Sequence, residues 1–187
     1  MLVPLNSRHT HSTSYKDISM LTQAELQSQL NYDPETGIFT WKISKSGIKK
    51  INQVAGNTDQ KGYRRIKINQ IIYKEHRLAW LYVYGEFPKI QIDHINRIKT
   101  DNRICNLREA TTSQNGFNKE LNKRNKSGFR NVSWDKHHKK WKVTLRCNKK
   151  EIFIGTFKDI DLANKAAIEA RIKYFGEFYN HGDSNEI

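Results

Sequence analysis

The densest polar pattern of the chain lies at residues 89–118, which read KIQIDHINRIKTDNRICNLREATTSQNGFN. Apolar residues alternate with polar ones up to Asp93-His94, and this period of two predicts a strand that ends at the pair. A polar loop follows, and then a strand or extended turn near Ile104. The remaining residues predict a helix over about 111–119. The stretch therefore predicts a compact strand–loop–strand–helix unit that carries many polar side chains.

Asp93 and His94 carry the chemistry of this unit. Adjacent residues of a strand point to opposite sides of the backbone, so one can hold a metal ion while the other faces a second part of the same site. A metal-dependent hydrolase needs both a metal that stabilises a developing oxyanion and a base that takes a proton from water. Histidine suits the base because its ordinary pKa is about 6.5. Taken alone, the pair has a second interpretation: an aspartate that stabilises a turn next to a histidine that only makes a structural hydrogen bond.

Further polar residues follow the pair, and together they resemble the HNH endonuclease motif of the phage and mobile-intron type. The motif elements are, in order, Asp93-His94, Asp101-Asn102, Asn106-Leu107 and Asn115. Two stretches upstream, at residues 32–41 and 76–80, are similar to the usual lead-in of these proteins. The resemblance implies a small ββα-metal unit in which a histidine ends the first strand and an asparagine comes from the helix.

The resemblance implies a role for each motif residue. Asp93 and Asn115 would be the protein ligands of one divalent metal ion, and His94 would be the general base that activates water for attack on a DNA phosphodiester. Asn106 would tie the loop to the strand and so fix the base, although Asn102 competes for this structural role. An asparagine at the last position favours a hard, oxygen-dominated site, for which Mg²⁺ or Mn²⁺ fits better than Zn²⁺.

Basic side chains flank the motif, and a histidine precedes it. We expect Arg97 and Arg103, with their basic neighbours, to contact DNA phosphates; such contacts position DNA rather than read its sequence. His76 opens a predicted helix ahead of the unit. It is either a packing or capping histidine or a phosphate contact, and the sequence leaves both open.

The residues before the motif predict a small mixed module behind a polar leader at residues 1–20. Hydrophobic periodicity and turn residues locate its elements. The predicted elements are a helix over 22–30 that starts with a Thr22–Glu25 capping box, strands over 38–42, 62–69 and 71–73, and a helix over 75–84 that Gly85 ends.

The charge is unevenly distributed along the chain, whose net charge is +14. Residues 1–118 carry 17 basic and 10 acidic side chains, whereas residues 119–150 carry 12 and 2. A net charge of +10 in so short a stretch, with Trp134 and Trp141 inside it, is typical of a nucleic-acid surface. A solvated basic face or a membrane-surface patch is the alternative.

Composition excludes several classes of protein. No run of about 18 apolar residues exists, which excludes a membrane-spanning helix. The two cysteines form no CxxC pair, which excludes a thiolate zinc cage. The hydrophobic share of 36% is low for one large domain and fits two small modules better.

The basic stretch begins as a linker and continues as a β-rich second module. Residues 119–128 are basic and rich in Asn, Ser and Gly. In the middle strand apolar Trp141, Val143 and Leu145 alternate with polar residues. The predicted elements are strands over about 129–134, 140–146 and 151–157, and a helix over about 160–175 capped by Asp159, with an apolar stripe at Ala163, Ala166, Ala167, Ala170 and Tyr174.

Four stretches of this module resemble the APETALA2-type (ethylene-response-factor-like) DNA-binding domain. They are SGFRNV at 127–132, KWKV at 140–143, IGTF at 154–157 and the helix from Ala163 into FGEF at 175–178. The resemblance implies that one face of a three-stranded sheet enters the major groove. The residues implied to face DNA are Arg130, Lys140, Lys142, Thr144 and Arg146. The two arginines are the better candidates for base edges, because arginine can be bidentate to guanine.

Together these patterns predict an α+β protein. Its predicted parts are a flexible leader at 1–20, an HNH nuclease domain at 21–120, a basic linker at 121–127, an APETALA2-type domain at 128–182 and a tail at 183–187. By resemblance the HNH domain cuts and the APETALA2-type domain chooses the site, as in homing endonucleases. We expect one Mg²⁺ or Mn²⁺ ion per active site and double-stranded DNA as the partner. We also expect a monomer that nicks DNA inside a bacterial or phage-infected cell, without a membrane or an obligate protein partner.

Other classes of function remain open at this point. A non-cutting, sequence-specific DNA-binding regulator with a degenerate nuclease site would bind DNA without metal-dependent hydrolysis. An RNA-directed protein is disfavoured because the major groove of A-form RNA is too narrow for the basic sheet face. A nonspecific nuclease toxin would need a translocation region for which the chain is too short.

Overall fold

In the computed structural model of the protein, residues 20–42, 51–119, 121–122 and 124–179 are described. The predicted leader and tail lie outside these residues, apart from Met20. The described residues form an α+β structure of four helices and ten strands in four small antiparallel sheets. Across these ranges, no helix has the length and hydrophobicity that crossing a membrane requires.

The N-terminal module begins at Leu21 and ends with the helix that follows the motif. Its elements are α1 (Gln23–Gln29), β1 (Leu30–Asp33), β2 (Ile38–Trp41), β3 (Asn57–Thr58), β4 (Arg64–Ile68), β5 (Ile71–Lys74), α2 (Glu75–Tyr84), β6 (Gln91–His94), β7 (Leu107–Ala110) and α3 (Thr112–Phe117). The predicted helices over 22–30 and 75–84 are confirmed, the first with its capping box. The order β6, β7, α3 is compatible with an HNH domain.

The segment between β6 and β7 differs from the prediction of a strand or extended turn near Ile104. Residues Ile104–Asn106 form a 3₁₀ turn, and the strand begins only at Leu107. The Asn106 side chain explains the difference. Its Oδ1 accepts a hydrogen bond from the Asn96 amide (3.0 Å), and its Nδ2 donates to the Asp101 carbonyl (2.8 Å). These bonds close the polar loop just before β7 and prevent an extended path.

The turn between β1 and β2 packs against the same loop. Gly37 has a φ of +72°, and a Cβ at this position would lie 2.4 Å from the Arg103 amide nitrogen. Only glycine therefore allows this close approach. The Tyr32 hydroxyl donates to the Asn102 carbonyl (2.8 Å) from the adjacent strand. The first hairpin thus fixes the backbone at residues 102–103.

The C-terminal module is a three-stranded sheet backed by one long helix. Its elements are β8 (Val132–Asp135), β9 (Lys140–Cys147), β10 (Lys150–Phe157), α4 (Ile160–Phe175) and a 3₁₀ turn at Gly176–Phe178. The strands lie in the order β10–β9–β8. Each predicted element is present, but β8 starts at Val132 rather than at residue 129. The Ser127 hydroxyl bonds to the carbonyls of Phe129 and Val132, which holds the preceding residues in a turn.

Two hydrophobic cores correspond to the two modules. Leu26, Phe39 and Leu78 are fully buried in the first. The second contains the buried residues Val132, Val143, Leu145, Ala163, Ala167, Ala170 and Phe175. The alanine stripe of α4 is therefore confirmed at three positions. Its predicted end is wrong: Tyr174 is exposed, and the neighbouring Phe175 is buried in its place.

The two modules contact each other directly. The rings of Phe117 on α3 and Phe175 on α4 stack with centroids 3.8 Å apart and planes 7° apart. The Arg130 guanidinium donates to the Phe117 carbonyl (2.8 Å) and also to the Lys119 carbonyl. The helix that follows the motif is thus part of both modules.

Candidate active site

The end of β6 opens into a cavity of about 350 Å³ that both motif residues line. In the β6–β7 pair, Asp93 lies opposite Arg108 and His94 lies opposite Leu107. The residues lining the cavity are Tyr63, Ile92, Asp93, His94, Arg97, Lys99, Asn115, Asn118 and Lys119. Asp93 and His94 have different hydrogen-bond partners, as strand neighbours should, yet they face one site.

The Asp93 carboxylate is buried and held by two donors from different elements. Arg108 donates from Nε (3.0 Å) and from Nη2 (2.9 Å), both to Oδ2. The Asn118 amide nitrogen donates to Oδ1 (3.0 Å). Only 4% of Asp93 is exposed, and a carboxylate so deeply buried is costly unless it is paired and hydrogen-bonded. These donors therefore fix the orientation of the carboxylate at the cavity wall.

The His94 ring is oriented by Asn102. Its Nε2 lies 3.0 Å from Asn102 Oδ1, and Asn102 is fully buried. Because a carbonyl oxygen only accepts hydrogen bonds, Nε2 carries the proton and Nδ1 carries the lone pair of the neutral ring. Burial lowers the pKa of His94, while Asn102 and then Asp93 oppose this change. The neutral imidazole, which is the basic form, is thereby favoured.

Glu75 lies behind Asn102 and supports this orientation. The Arg64 Nε donates to Glu75 Oε2 (2.7 Å) at the first turn of α2. Burial raises the pKa of Glu75 to about 7; Arg64, and to a smaller extent the Asn102 amide, act against this rise. Neither Glu75 Oε1 nor Asn102 Nδ2 makes a hydrogen bond of ordinary geometry. The Glu75 carboxyl group beside the Asn102 amide favours one orientation of that amide. In this orientation Asn102 Nδ2 faces Glu75 and Asn102 Oδ1 faces His94.

The two asparagines that competed for one structural role have separate positions. Asn106 ties the loop together, since its Nδ2 also donates to Asn96 Oδ1 (3.0 Å). Asn102 is the residue that contacts the imidazole. The loop closure by Asn106 places the backbone, and the Asn102 side chain places the ring of His94.

Asn115 and Asn118 both line the cavity, but they contact different groups. The Asn115 amide nitrogen donates to Gln91 Oε1 (3.2 Å) on β6. Asn118 is buried, and its amide nitrogen also donates to the His94 carbonyl (2.8 Å). Asn118 was not predicted from the sequence as a site residue. Its spacing of three residues from Asn115 was the available signal, because residues one helical turn apart share a face.

His76 packs beside the proposed base. Its ring lies perpendicular to that of His94, with centroids 5.2 Å apart. Burial, and then the neighbouring His94, lower the pKa of His76 to about 3, so this ring is neutral. It does not cap α2, whose N-cap is Lys74. Of the two open interpretations, the geometry fits a packing residue.

The oxygen atoms at this site suit a hard divalent cation. Asp93 has a carboxylate and Asn115 has an amide oxygen, and both residues line the cavity. Mg²⁺ is usually held by one or two carboxylates together with substrate phosphates, so it needs few protein ligands. Within the described ranges, no group of three or more His, Cys, Asp or Glu side chains forms a metal cage. The donor set therefore fits a site that the phosphates of a substrate complete.

Cations surround the cavity unevenly. Arg97, Lys99 and Lys119 line it. Lys99 also lies over the Tyr63 ring, 5.0 Å from its centroid. Arg103 is directed elsewhere, because it pairs with Asp101 through two bonds of 2.8 and 2.6 Å. The structure thus brings Arg97, but not Arg103, to the cavity.

The predicted DNA-facing residues of the C-terminal module divide into two places. On β9, Val143 and Leu145 are buried, and the side chains that alternate with them lie on the opposite face; these are Lys142, Thr144 and Arg146. Lys142 contacts Glu151 on β10 (3.6 Å). Arg130 is at the junction between the modules, where it lines a cavity of about 330 Å³ with Lys119 and Arg146. Lys140 begins β9 and lies opposite Asp135 in the β8–β9 strand pair.

Comparison with known proteins identifies the class of the site. Residues 73–117 match the HNH endonuclease family and form an HNH endonuclease domain, which includes Asp93, His94 and Asn115. Over 108 residues the chain is 30% identical to Protein 3.8 of Escherichia phage T7, covering 56% of this chain and 87% of the phage protein. Over 101 residues it is 31% identical to Uncharacterized HNH endonuclease L560 of Acanthamoeba polyphaga mimivirus, covering 54% of this chain and 46% of that protein. No solved structure matches the chain.

The chain therefore contains an HNH endonuclease domain at residues 73–117 and is similar to proteins of a phage and of a virus. The HNH domain implies nuclease activity with DNA as the substrate, and HNH nucleases generally use a divalent metal ion. The predicted HNH motif is confirmed as an HNH endonuclease domain at residues 73–117, and the phage and viral relatives agree with the predicted phage type. The match extends over α2, β6, β7 and α3, and of these elements β6 and α3 carry residues that line the cavity.

Proposed function

We propose that this protein is a site-directed DNA endonuclease of the homing type, in which His94 is the general base. The observation that carries the proposal is the cavity at the end of β6, where Asp93, His94 and Asn115 meet inside the HNH segment. Three cationic side chains line the same cavity and suit a phosphate backbone. In this arrangement the N-terminal module cuts and the C-terminal module selects the site.

His94 takes the proton from the attacking water at Nδ1. Asn102 holds Nε2–H, so the ring presents its lone pair in one orientation. Arg97, Lys99 and Lys119 bind the phosphates on either side of the scissile bond and orient it. Asp93 and Asn115 would hold one Mg²⁺ or Mn²⁺ ion, which would supply positive charge that stabilises the oxyanion and the leaving oxygen. Asn118 and Arg108 keep Asp93 directed towards the cavity.

The C-terminal module reads the DNA, as an APETALA2-type domain does. The polar face of β9 presents Lys142, Thr144 and Arg146, and a sheet of this size fits a major groove. We assign base contacts to Arg146 and phosphate contacts to the lysines. We assign Arg130 to phosphates between the reading face and the cutting site, because it lies at the junction of the two modules.

A cleavage assay on supercoiled plasmid and phage DNA tests the proposal. Wild type and His94→Ala are compared in Mg²⁺, Mn²⁺ or EDTA, with His137→Ala as a matched control because His137 is exposed and its ring contacts His138. We expect metal-dependent cutting by wild type and the control, and none by His94→Ala, which should bind DNA like wild type. Nicked product indicates one active site, and linear product indicates two cuts.

Two results would contradict the proposal. Normal cutting by His94→Ala would show that His94 is not the general base. If no protein cuts any DNA offered while all bind it in a salt-sensitive way, a binding-only regulator becomes the better interpretation. A selection of bound duplexes from random sequence would then supply the target, and cleavage of that target decides between the two.

A further inference from the structure

Arg108 connects the proposed metal ligand Asp93 to the C-terminal module. We propose that Arg108 is a positioning residue for the nuclease and that the 3₁₀ turn Gly176–Phe178 of the C-terminal module holds it in place. The module that selects DNA would then also complete the cutting site. This inference rests on the proposed function, because it concerns the carboxylate assigned there to the metal.

Every nitrogen of the Arg108 guanidinium has a partner, and the partners come from both modules. Nε and Nη2 donate to Asp93 Oδ2 at 3.0 and 2.9 Å. Nη1 donates to the Glu177 carbonyl, 69 positions further along the chain. The Phe178 ring covers the guanidinium, whose central carbon lies 4.2 Å from the ring centroid. The side chain is thus fixed at one face and at all three nitrogens.

The turn that contacts Arg108 is itself firmly held. Phe178 is buried, and the helix before it is anchored by the stack of Phe175 on Phe117. Arg130 connects the same region to the Phe117 carbonyl. The Glu177 carbonyl and the Phe178 ring therefore have defined positions relative to β7, which carries Arg108.

This arrangement leaves one oxygen of Asp93 for another partner. Arg108 occupies Oδ2, whereas Oδ1 accepts one hydrogen bond, from Asn118. A metal-ligating carboxylate needs outer partners that fix its orientation, and their loss typically costs 10–100-fold in metal affinity or activity. An arginine without the turn has many rotamers and loses this preorganisation. The contact with the turn should therefore support cutting rather than inhibit it.

A double-mutant cycle on the full-length protein tests the inference. The variants are Arg108→Lys, Phe178→Ala and the double variant, with Phe178→Leu to keep the apolar volume and Tyr174→Ala as the control. Tyr174 is an exposed aromatic residue of α4, the helix that precedes the turn, and its ring contacts Lys173. Each protein is measured for cleavage rate at saturating DNA, for Mn²⁺ binding without DNA by calorimetry, and for duplex affinity in EDTA.

We expect Arg108→Lys and Phe178→Ala each to lose about tenfold or more in cleavage rate and in Mn²⁺ affinity. Duplex affinity should be unchanged, and Tyr174→Ala should match wild type. The double variant should be no worse than Arg108→Lys alone, because Phe178 acts through Arg108. If Phe178 had a purely structural role, Phe178→Ala would instead lower the cleavage rate by the same factor in wild type and in the Arg108→Lys variant.

The possible failures are distinguishable. If wild type neither cuts DNA nor binds Mn²⁺, the proposed function fails. If wild type does both and Arg108→Lys equals it, the positioning role is wrong while the function stands. Faster cutting by Phe178→Ala or Phe178→Leu would mean that the contact inhibits, which also overturns the inference. If melting shows that Phe178→Ala unfolds, the Leu variant replaces it in the cycle.

Discussion

Replacing Glu75 with glutamine removes a buried titratable group while keeping an acceptor for Arg64. Glu75 is fully buried, and Arg64 Nε donates to its Oε2 at 2.7 Å. Burial outweighs this ion pair and raises the pKa of Glu75 from 4.5 to about 7. The wild-type protein should therefore lose stability as Glu75 ionises, and the Glu75→Gln variant should not.

The direction and the size of this loss of stability follow from the linkage between protonation of Glu75 and folding. Below pH 4.5 Glu75 is protonated in the folded and the unfolded chain, so its burial carries no charge penalty. Between pH 4.5 and about 7 the unfolded chain releases the proton first, and the free energy of unfolding falls as pH rises. Each pKa unit is worth about 1.4 kcal/mol, so the loss approaches about 3 kcal/mol above pH 7.

Urea denaturation from pH 5 to 8.5 measures this effect as a difference between variant and wild type. The unfolding free energy of Glu75→Gln minus that of wild type should rise with pH by up to about 3 kcal/mol and then level off. Glu86→Gln is the control, because Glu86 is an exposed glutamate just beyond α2. A Glu75→Gln difference that does not change with pH would refute the reasoning and would mean that Arg64 offsets burial completely.

Three further predictions concern DNA cleavage and binding. Asp93→Ala should lose cleavage while keeping duplex binding, and extra Mn²⁺ should restore a little of it; full activity in Mg²⁺ would contradict the ligand assignment. Deleting residues 121–187 should leave weak, unselective, metal-dependent cutting, and retained site preference would contradict the division of labour. About five phosphate contacts predict a log–log slope of affinity against salt of about −4 to −5. Arg146→Ala should relax sequence preference and leave that slope unchanged, because this arginine is assigned to base contacts; a shallower slope with unchanged preference would contradict the assignment.

Local signals in the sequence predicted most of the secondary structure. The Thr22–Glu25 capping box and the start of α3 at Thr112 depend on residues three or four positions apart, and both were located correctly. The alternation in β9 separated buried Val143 and Leu145 from the polar face for the same reason. Errors occurred where tertiary contacts decide: β8 starts late because of the Ser127 turn, and the end of α4 buries Phe175.

The site was predictable in its motif residues and not in their partners. Asp93, His94 and Asn115 line one cavity, as their resemblance to the family implied. The Asn118–Asp93 and Arg108–Glu177 contacts join residues 25 and 69 positions apart, and no local sequence pattern predicts such pairs. The same holds for Glu75, whose burial behind Asn102 follows only from the packing of α2. Partners of this kind determine the orientation and the pKa of the site's side chains, so neither property could be predicted from the sequence.

Direct contact between the modules changes what selection of a site requires. A flexible tether raises the local concentration of the cutter around a bound reader, but it allows many cutting positions. Here Phe117 stacks on Phe175, and Arg130 and Arg108 each connect the two modules, so the cavity has a defined position relative to β9. If the C-terminal sheet reads DNA in this arrangement, the cut should fall at one fixed offset from the bases read. Inserting five base pairs between them should then move the cut to a new bond at the original offset, and continued cutting at the original bond would show that the contact opens on DNA.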